Sequence, residues 1–129
     1  MIPAEKPSSG GDPATRAAAG RASVLERYVE LHNAGVRSGD FDPMLALFTA
    51  DGEMHFVGRP IGPFRGTEAL RRAFQQTPPD DELVLAPVAL GDRAERAEYA
   101  WKSAPGAIAG TLITETDGEH LRVLRVVPH

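Results

Sequence analysis

Tyr28 and His32 stand four residues apart in a segment whose apolar residues recur every three or four positions. In an α-helix, that spacing places two side chains on the same side. A tyrosine hydroxyl can donate a hydrogen bond to a carbonyl oxygen, and an imidazole can accept a proton near neutral pH. The pair therefore predicts a donor and a base for proton transfer. The alternative is that both rings are core residues whose polar atoms are satisfied locally.

His55 is a second candidate base, in a run over residues 53–57 that we predict to be extended. Alternation along a strand places His55 and Val57 on one face and Met54 and Phe56 on the other. If the first face looks inward, His55 is available for proton transfer. If Met54 and Phe56 form the core face, His55 lies at the surface.

Tyr99 and Trp101 alternate with Glu98, Ala100 and Lys102, which indicates that the two aromatic rings face the interior of a sheet. Large apolar rings of this kind can form the walls of a site for an apolar ligand, although plain core packing explains them equally well. The other residues that we predict to line such a site are Val57, Phe74 and Leu112.

Three helices are predicted to position these side chains. Ser23 and Glu26 have the spacing of a capping box and open the first helix, which we expect to end near Ser38. Asp42, followed by a proline, predicts the cap of a short second helix. Thr67 is the predicted cap of a third helix, which carries Phe74 on its apolar side and ends before Pro78-Pro79.

The C-terminal half is predicted to form strands separated by short turn sequences: Leu83 to Leu90, Ala94 to Ser103, Ile108 to Thr116 and His120 to Val127. Short connections favour an antiparallel meander. Pro87 cannot donate a backbone hydrogen bond, so its strand should lie at an edge or carry a bulge. Helices followed by a sheet predict an α+β fold in which the helices cover one face of the sheet.

The bulk composition is that of a single globular domain, with 129 residues of which 42% are hydrophobic and 25% charged. We expect residues 1–20, rich in Ala, Gly, Pro and Ser, to form a disordered tail and residues 21–129 to form the domain. The tail lacks the apolar core of a signal peptide, and no apolar run approaches the length of a bilayer span. We therefore expect a cytoplasmic protein that does not bind membranes.

Charge and residue types exclude several classes of function. The net charge is −4 without a large basic cluster, so nucleic acid is not an expected partner. There is no cysteine, and the four histidines lack a compact metal-binding spacing, so we expect no metal. No phosphate-binding glycine motif occurs, and we expect no cofactor.

Two stretches carry a resemblance to a known family. The segment LERYVELHNAG, followed by Leu45-Ala46-Leu47-Phe48 and Ala50-Asp51, resembles the opening of bacterial ketosteroid isomerases. The run from Phe64 to Leu70 is similar to the FxGxxAI pattern of the wider nuclear-transport-factor-2-like superfamily, which includes SnoaL-like polyketide cyclases. The resemblance implies a cone, in which a curved antiparallel sheet wraps around a long N-terminal helix and two short ones. It also implies a homodimer and a hydrophobic small-molecule ligand.

Ketosteroid isomerases move a proton with a carboxylate base, while a tyrosine and a protonated aspartic acid stabilise the dienolate oxygen. The resemblance implies that Tyr28 takes the place of the tyrosine. The base falls on Val57 or, one residue further, on Gly58, and the aspartic acid falls within 111–113; none of these positions has a carboxylate. An inward Val57 would bring His55 inward, where the imidazole could replace the missing base.

The resemblance therefore implies a cofactor-independent isomerase or cyclase that moves a proton on a hydrophobic carbonyl substrate, such as a steroid or a polyketide. Tyr28 would be the donor, with His55 or His32 as the base. The alternative is a binding domain without catalytic activity that holds a hydrophobic small molecule.

Overall fold

The first helix, α1 (Val24–Ser38), begins and ends as its sequence predicts. In the computed structural model, which describes residues 23–129, Ser23 Oγ accepts a hydrogen bond from the Glu26 N–H at 3.1 Å. Gly39 closes the helix at φ 83°, and its N–H donates to the Gly35 carbonyl at 2.7 Å. The predicted cap at Ser23 is confirmed, which is one of the two hydrogen bonds of a capping box. The predicted tail, residues 1–20, lies outside the described residues.

Two short helices and seven strands follow α1 within the described part of the chain. They are α2 (Asp42–Leu45), β1 (Phe48–Phe56), β2 (Phe64–Arg65), α3 (Thr67–Gln76), β3 (Leu83–Leu85), β4 (Ala89–Leu90), β5 (Ala94–Trp101), β6 (Ile108–Asp117) and β7 (His120–Pro128). The predicted α+β class is confirmed: three helices pack against one face of a curved, unclosed sheet.

The caps predicted for the two short helices are wrong. Asp42 is already inside α2, whose N-cap is Phe41, and the Asp42 N–H donates to Asp40 Oδ1 at 3.0 Å. Thr67 is likewise the first residue of α3, and its cap is Gly66 at φ 88°. Glycine reaches this left-handed region without strain, so the backbone turns into α3 without a capping side chain.

The sheet has the strand order β2-β1-β7-β6-β5-β3, and β4 also pairs with β5. The meander β5-β6-β7 is antiparallel, as the short connections predict. The β1–β7 pair is parallel, however, so the sheet is mixed and the prediction of a wholly antiparallel sheet is wrong there. A short connection predicts antiparallel pairing only for strands that are consecutive in the chain. Most of the domain lies between β1 and β7, so the sequence gives no indication of their relative direction.

Pro87 interrupts the edge of the sheet, as its missing N–H predicts. The single strand expected over Leu83 to Leu90 is divided into β3 and β4, on either side of the proline, and both pair with β5. No strand lies beyond β3 among residues 23–129.

The core lies between the helices and one face of the sheet. Its fully buried side chains come from all three helices and from β1, β6 and β7: Leu25, Met44, Leu70, Met54, Leu112, Leu121 and Leu124. Each buried leucine or methionine contributes roughly 1.5–3 kcal/mol through its removal from water. In the described part of the chain, no helix is long and apolar enough to cross a membrane.

Glu95 of β5 fixes the start of α1 on the sheet. Its Oε1 accepts hydrogen bonds from Ser23 Oγ at 2.5 Å and from the Leu25 N–H at 2.9 Å, and its Oε2 accepts one from the Val24 N–H at 3.1 Å. Thr114, fully buried on β6, accepts a bond from the Glu95 N–H at 3.1 Å. A carboxylate at a helix N-terminus satisfies free N–H groups and interacts favourably with the helix dipole.

We expect Glu95→Ala to lower the free energy of unfolding by about 2 kcal/mol, because it leaves buried donors at the start of α1 without an acceptor. Urea unfolding measures the change. Glu98→Ala is the matched control on the same strand, because Glu98 is exposed and should change stability by less than about 0.5 kcal/mol. Equal losses in the two variants would show that the Glu95 contacts do not hold the helix.

Candidate functional site

Tyr28 lies on the side of α1 that faces the sheet, and only 4% of it is exposed. Its ring stands edge-on to Phe48, with 6.2 Å between the ring centroids. Burial raises the pKa of the Tyr28 phenol well above its ordinary value, and the Tyr99 phenol raises it further. The hydroxyl forms no hydrogen bond to another residue within 23–129. Tyr28 is therefore a neutral donor in an apolar environment, without a partner in the described part of the protein.

Asn33 fixes the tautomer of the neighbouring His32. Asn33 Nδ2 donates to the Leu83 carbonyl at 2.9 Å, and Asn33 Oδ1 accepts from the Leu83 N–H at 2.7 Å, so the orientation of the amide is set by the backbone of β3. His32 Nδ1 lies 3.1 Å from the same Oδ1. Because that oxygen is an acceptor, Nδ1 carries the proton, and Nε2 of the neutral ring has the free lone pair.

His32 is held in its neutral form. Burial lowers its pKa; the hydrogen bond with Asn33 and the carboxylates of Glu82 and Asp81 oppose that effect less strongly. The Tyr28 and His32 rings lie with centroids 6.1 Å apart, so the same-side arrangement predicted from their spacing is confirmed. A neutral hydroxyl donor and a neutral imidazole base are thus neighbours on the buried side of α1.

Tyr99 contributes a second buried phenol from β5. It is 3% exposed and directly opposite Gly110 of β6. A Cβ at Gly110 would lie 2.8 Å from the Tyr99 ring, so the ring rests on the bare backbone at this point. Burial raises the pKa of the Tyr99 phenol, while the nearby Arg59 guanidinium lowers it. Tyr99 therefore faces the same interior as Tyr28.

The other predicted lining residues are distributed between the interior and the rim. Leu112 is 2% exposed on the inner face, and Phe74 of α3 packs on Phe41 at 5.3 Å between centroids. Trp101 makes an edge-to-face contact with Tyr99 at 5.8 Å and is 37% exposed, which places it at the rim. Val57 follows the end of β1 and is 45% exposed, so the prediction that it faces the interior is wrong.

The prediction that His55 faces inward is also wrong. Met54, which is 1% exposed, and Phe56 pack in the core, so the alternative assignment of β1 is the one that the structure shows. His55 lies on the opposite face, beside Arg125 of the parallel strand β7. Its Nε2 is 2.9 Å from Glu53 Oε1. His55 therefore lies on the other face of the sheet from Tyr28.

A network of charged side chains surrounds His55 on the outer face of the sheet. Glu115 of β6 accepts hydrogen bonds from Arg125, at 2.9 Å, and from Arg122. The bond with Arg125 is the largest of the effects that lower the pKa of the Glu115 carboxyl, and the charges of Arg122 and Arg125 lower it further. Surface networks of this kind add little to stability.

Within residues 23–129, no three His, Asp or Glu side chains lie close enough together to hold a metal ion. Two residues that position these side chains were not predicted from the sequence, Glu95 and Asn33. Glu95 shares the strand alternation of Tyr99 and Trp101, so its inward direction was readable from the sequence. Asn33 gave no local signal, because its partner Leu83 is 50 residues away along the chain.

The lowered pKa of His32 predicts a pH dependence of stability. Below about pH 6.5 the unfolded chain binds a proton at His32 that the folded chain does not bind, so the free energy of unfolding falls as the pH falls. We expect His32→Gln to reduce the loss of stability measured by urea unfolding between about pH 7.5 and about pH 5.5. His120→Gln, at an exposed position, should leave the slope unchanged. Identical slopes in the wild type and in His32→Gln would contradict a buried neutral His32.

Comparison with known families gives one match over most of the chain. The sequence profile described as "SnoaL-like domain" matches residues 25–126. No curated protein matches the chain.

Solved structures share the fold at low identity. A protein of Kribbella flavida, provisionally named a ketosteroid isomerase, is 14% identical with a TM-score of 0.64, over 84% of this chain and 76% of that one. An NTF2-like protein of unknown function from Exiguobacterium is 20% identical with a TM-score of 0.61, over 83% and 98%. A protein of Sinorhizobium meliloti, provisionally named a polyketide cyclase, is 14% identical with a TM-score of 0.54, over 81% and 98%.

Identities this low establish the fold and leave the activity open. The profile match over residues 25–126, together with the helices and curved sheet described above, leads to one assignment. The chain belongs to the SnoaL-like domain family and has the cone fold of NTF2-like proteins.

Proposed function

We propose that the protein is a cofactor-independent isomerase or cyclase that moves a proton on a hydrophobic carbonyl substrate, with His32 as the base and Tyr28 as the hydrogen-bond donor. The observation that carries the proposal is the fixed tautomer of His32, which has its proton on Nδ1 and its lone pair on Nε2. An imidazole that is neutral at physiological pH is ready to accept a proton without first losing one.

Each step of the reaction has a group to perform it. His32 Nε2 removes a proton from the carbon next to the carbonyl, and the electron pair of that C–H bond moves onto the carbonyl oxygen. Tyr28 donates a hydrogen bond to the oxygen as its negative charge develops. Return of the proton from His32 to a different carbon completes an isomerisation, and attack of the enolate carbon on a second carbonyl would complete a cyclisation.

The surroundings favour the charged intermediate. Tyr28 is almost fully buried, and a donor is more effective in such a site than in water because it is already oriented and poorly screened. The His32 imidazolium that forms would be stabilised by Glu82 and Asp81, whose carboxylates favour the protonated ring. The two charges that arise together thus have partners already in place.

The apolar walls indicate the class of substrate. Phe48 packs edge-on against Tyr28, Leu112 belongs to the same buried core, and Trp101 lies half-exposed against Tyr99. These walls suit a ketone with a rigid hydrocarbon skeleton. The names of two structural neighbours, a ketosteroid isomerase and a polyketide cyclase, are consistent with such substrates.

One observation favours the alternative of a binding domain without catalytic activity. Glu95, whose carboxylate points toward the core, is already hydrogen-bonded to the first residues of α1. The positions that correspond to the base and the acid of ketosteroid isomerases have no carboxylate. A domain of this kind would hold the same hydrophobic molecule without exchanging its protons.

Deuterium exchange separates the two functions. The full chain is incubated in D₂O with a β,γ-unsaturated steroid ketone, and isomerisation and deuterium uptake are followed by mass spectrometry. We expect Tyr28→Phe to lower the rate by about 10²- to 10³-fold, because the enolate oxygen loses its donor. His32→Gln should lower the rate by about 10²- to 10⁴-fold, because the base is removed.

His55→Gln is the matched control, since it removes an imidazole on the outer face and should leave the rate unchanged. Near-ultraviolet circular dichroism confirms that each variant is folded. A wild-type rate in folded Tyr28→Phe and His32→Gln would contradict the mechanism. Retention of the ketone without deuterium uptake by the wild type would instead support the binding domain.

A further inference from the structure

A groove of about 370 Å³ lies between α1 and the edge strand β3, on the flank of the helix away from Tyr28. Its lining residues are Glu26, Val29, Glu30 and Asn33 of α1 and Leu85, Ala86 and Pro87 at the end of β3. We propose that this groove binds an extended, basic peptide segment of a partner protein, which adds to β3 as a further strand. The inference is independent of the proposed proton transfer.

The hydrogen bonds of β3 show which of its backbone groups are free. The Ala86 N–H donates to the Glu98 carbonyl at 2.9 Å, and the Lys102 N–H donates to the Glu82 carbonyl at 2.8 Å. Even-numbered residues of this segment therefore bond to β5. Because backbone groups alternate in direction along a strand, the N–H and C=O of Leu83 and Leu85 point away from β5, toward the open edge.

Two residues of β3, Leu83 and Leu85, point to the open edge, and α1 already satisfies the backbone groups of Leu83. The side-chain amide of Asn33 binds both the N–H and the C=O of Leu83, at 2.7 and 2.9 Å. Leu85 is the next residue with the same orientation, and neither its N–H nor its C=O bonds to a residue within 23–129. The groove therefore contains an adjacent donor and acceptor that match the backbone of one further residue. Pro87 limits the edge at this end, since it has no N–H to offer.

The walls of the groove indicate the side chains that it would accept. Val29, Leu85 and Pro87 give it an apolar floor, and Glu26 and Glu30 lie one helical turn apart along its rim. Neither glutamate forms an ion pair with a residue in the described part of the chain. In an added strand, alternate side chains point in opposite directions, so an apolar residue can reach the floor while its basic neighbours approach the rim.

The test uses the full chain and a fluorescein-labelled peptide with the sequence Ser-Val-Arg-Val-Arg-Ser, blocked at both ends. We expect saturable binding by fluorescence anisotropy, together with a shift of the Leu85 amide signal in ¹⁵N-edited NMR spectra. Glu30→Lys should weaken binding by roughly tenfold, because it reverses a charge at the rim. Glu119→Lys is the control, a matched charge reversal at an exposed turn outside the groove.

A second arm leaves the protein unchanged and so does not depend on the folding of a variant. Methylation of the backbone nitrogens of both valines of the peptide removes the donor in either register and should weaken binding at least tenfold. Equal binding of the methylated peptide would overturn the proposal, as would equal affinities of Glu30→Lys and Glu119→Lys or the absence of saturable binding. If benzylguanidine binds as tightly as the peptide, no strand is needed and the proposal is wrong.

Discussion

The attachment of α1 to Glu95 is the constraint on which the rest of the structure depends. Three hydrogen bonds join one carboxylate on β5 to the first residues of the helix, and Thr114 links the same strand to β6. This attachment sets the position of every later residue of α1, including Tyr28 one turn further along. A buried carboxylate is costly unless its oxygens are satisfied, and here the free N–H groups of a helix start satisfy them.

A second connection joins α1 to the sheet near its other end, through Asn33. One side-chain amide pairs with the backbone of Leu83 and also sets the proton of His32. Fold and chemistry are therefore coupled at this residue: the contact that holds the helix against β3 also decides which nitrogen of the imidazole is basic. An imidazole whose tautomer is fixed by backbone geometry needs no further partner to orient it.

Local patterns in the sequence predicted much of this structure. The cap at Ser23, the shared side of Tyr28 and His32, and the break at Pro87 all depend on residues near one another in the chain. The face of β1 could not be read in this way. Alternation alone does not show whether His55 or Met54 faces the core. The register of β1 with β7, a strand some 70 residues later in the chain, determines which face is buried. The parallel direction of that pair and the role of Asn33 are likewise long-range features.

The chain has a single tryptophan, Trp101, and it stands at the rim of the interior with its ring edge-on to Tyr99. Indole emission depends on local polarity, so the natural fluorescence of this protein originates at one place, where the interior meets the solvent. A change that buries that ring more deeply would shift the spectrum to the blue. The unlabelled protein thus contains its own optical sensor at the last residue of β5.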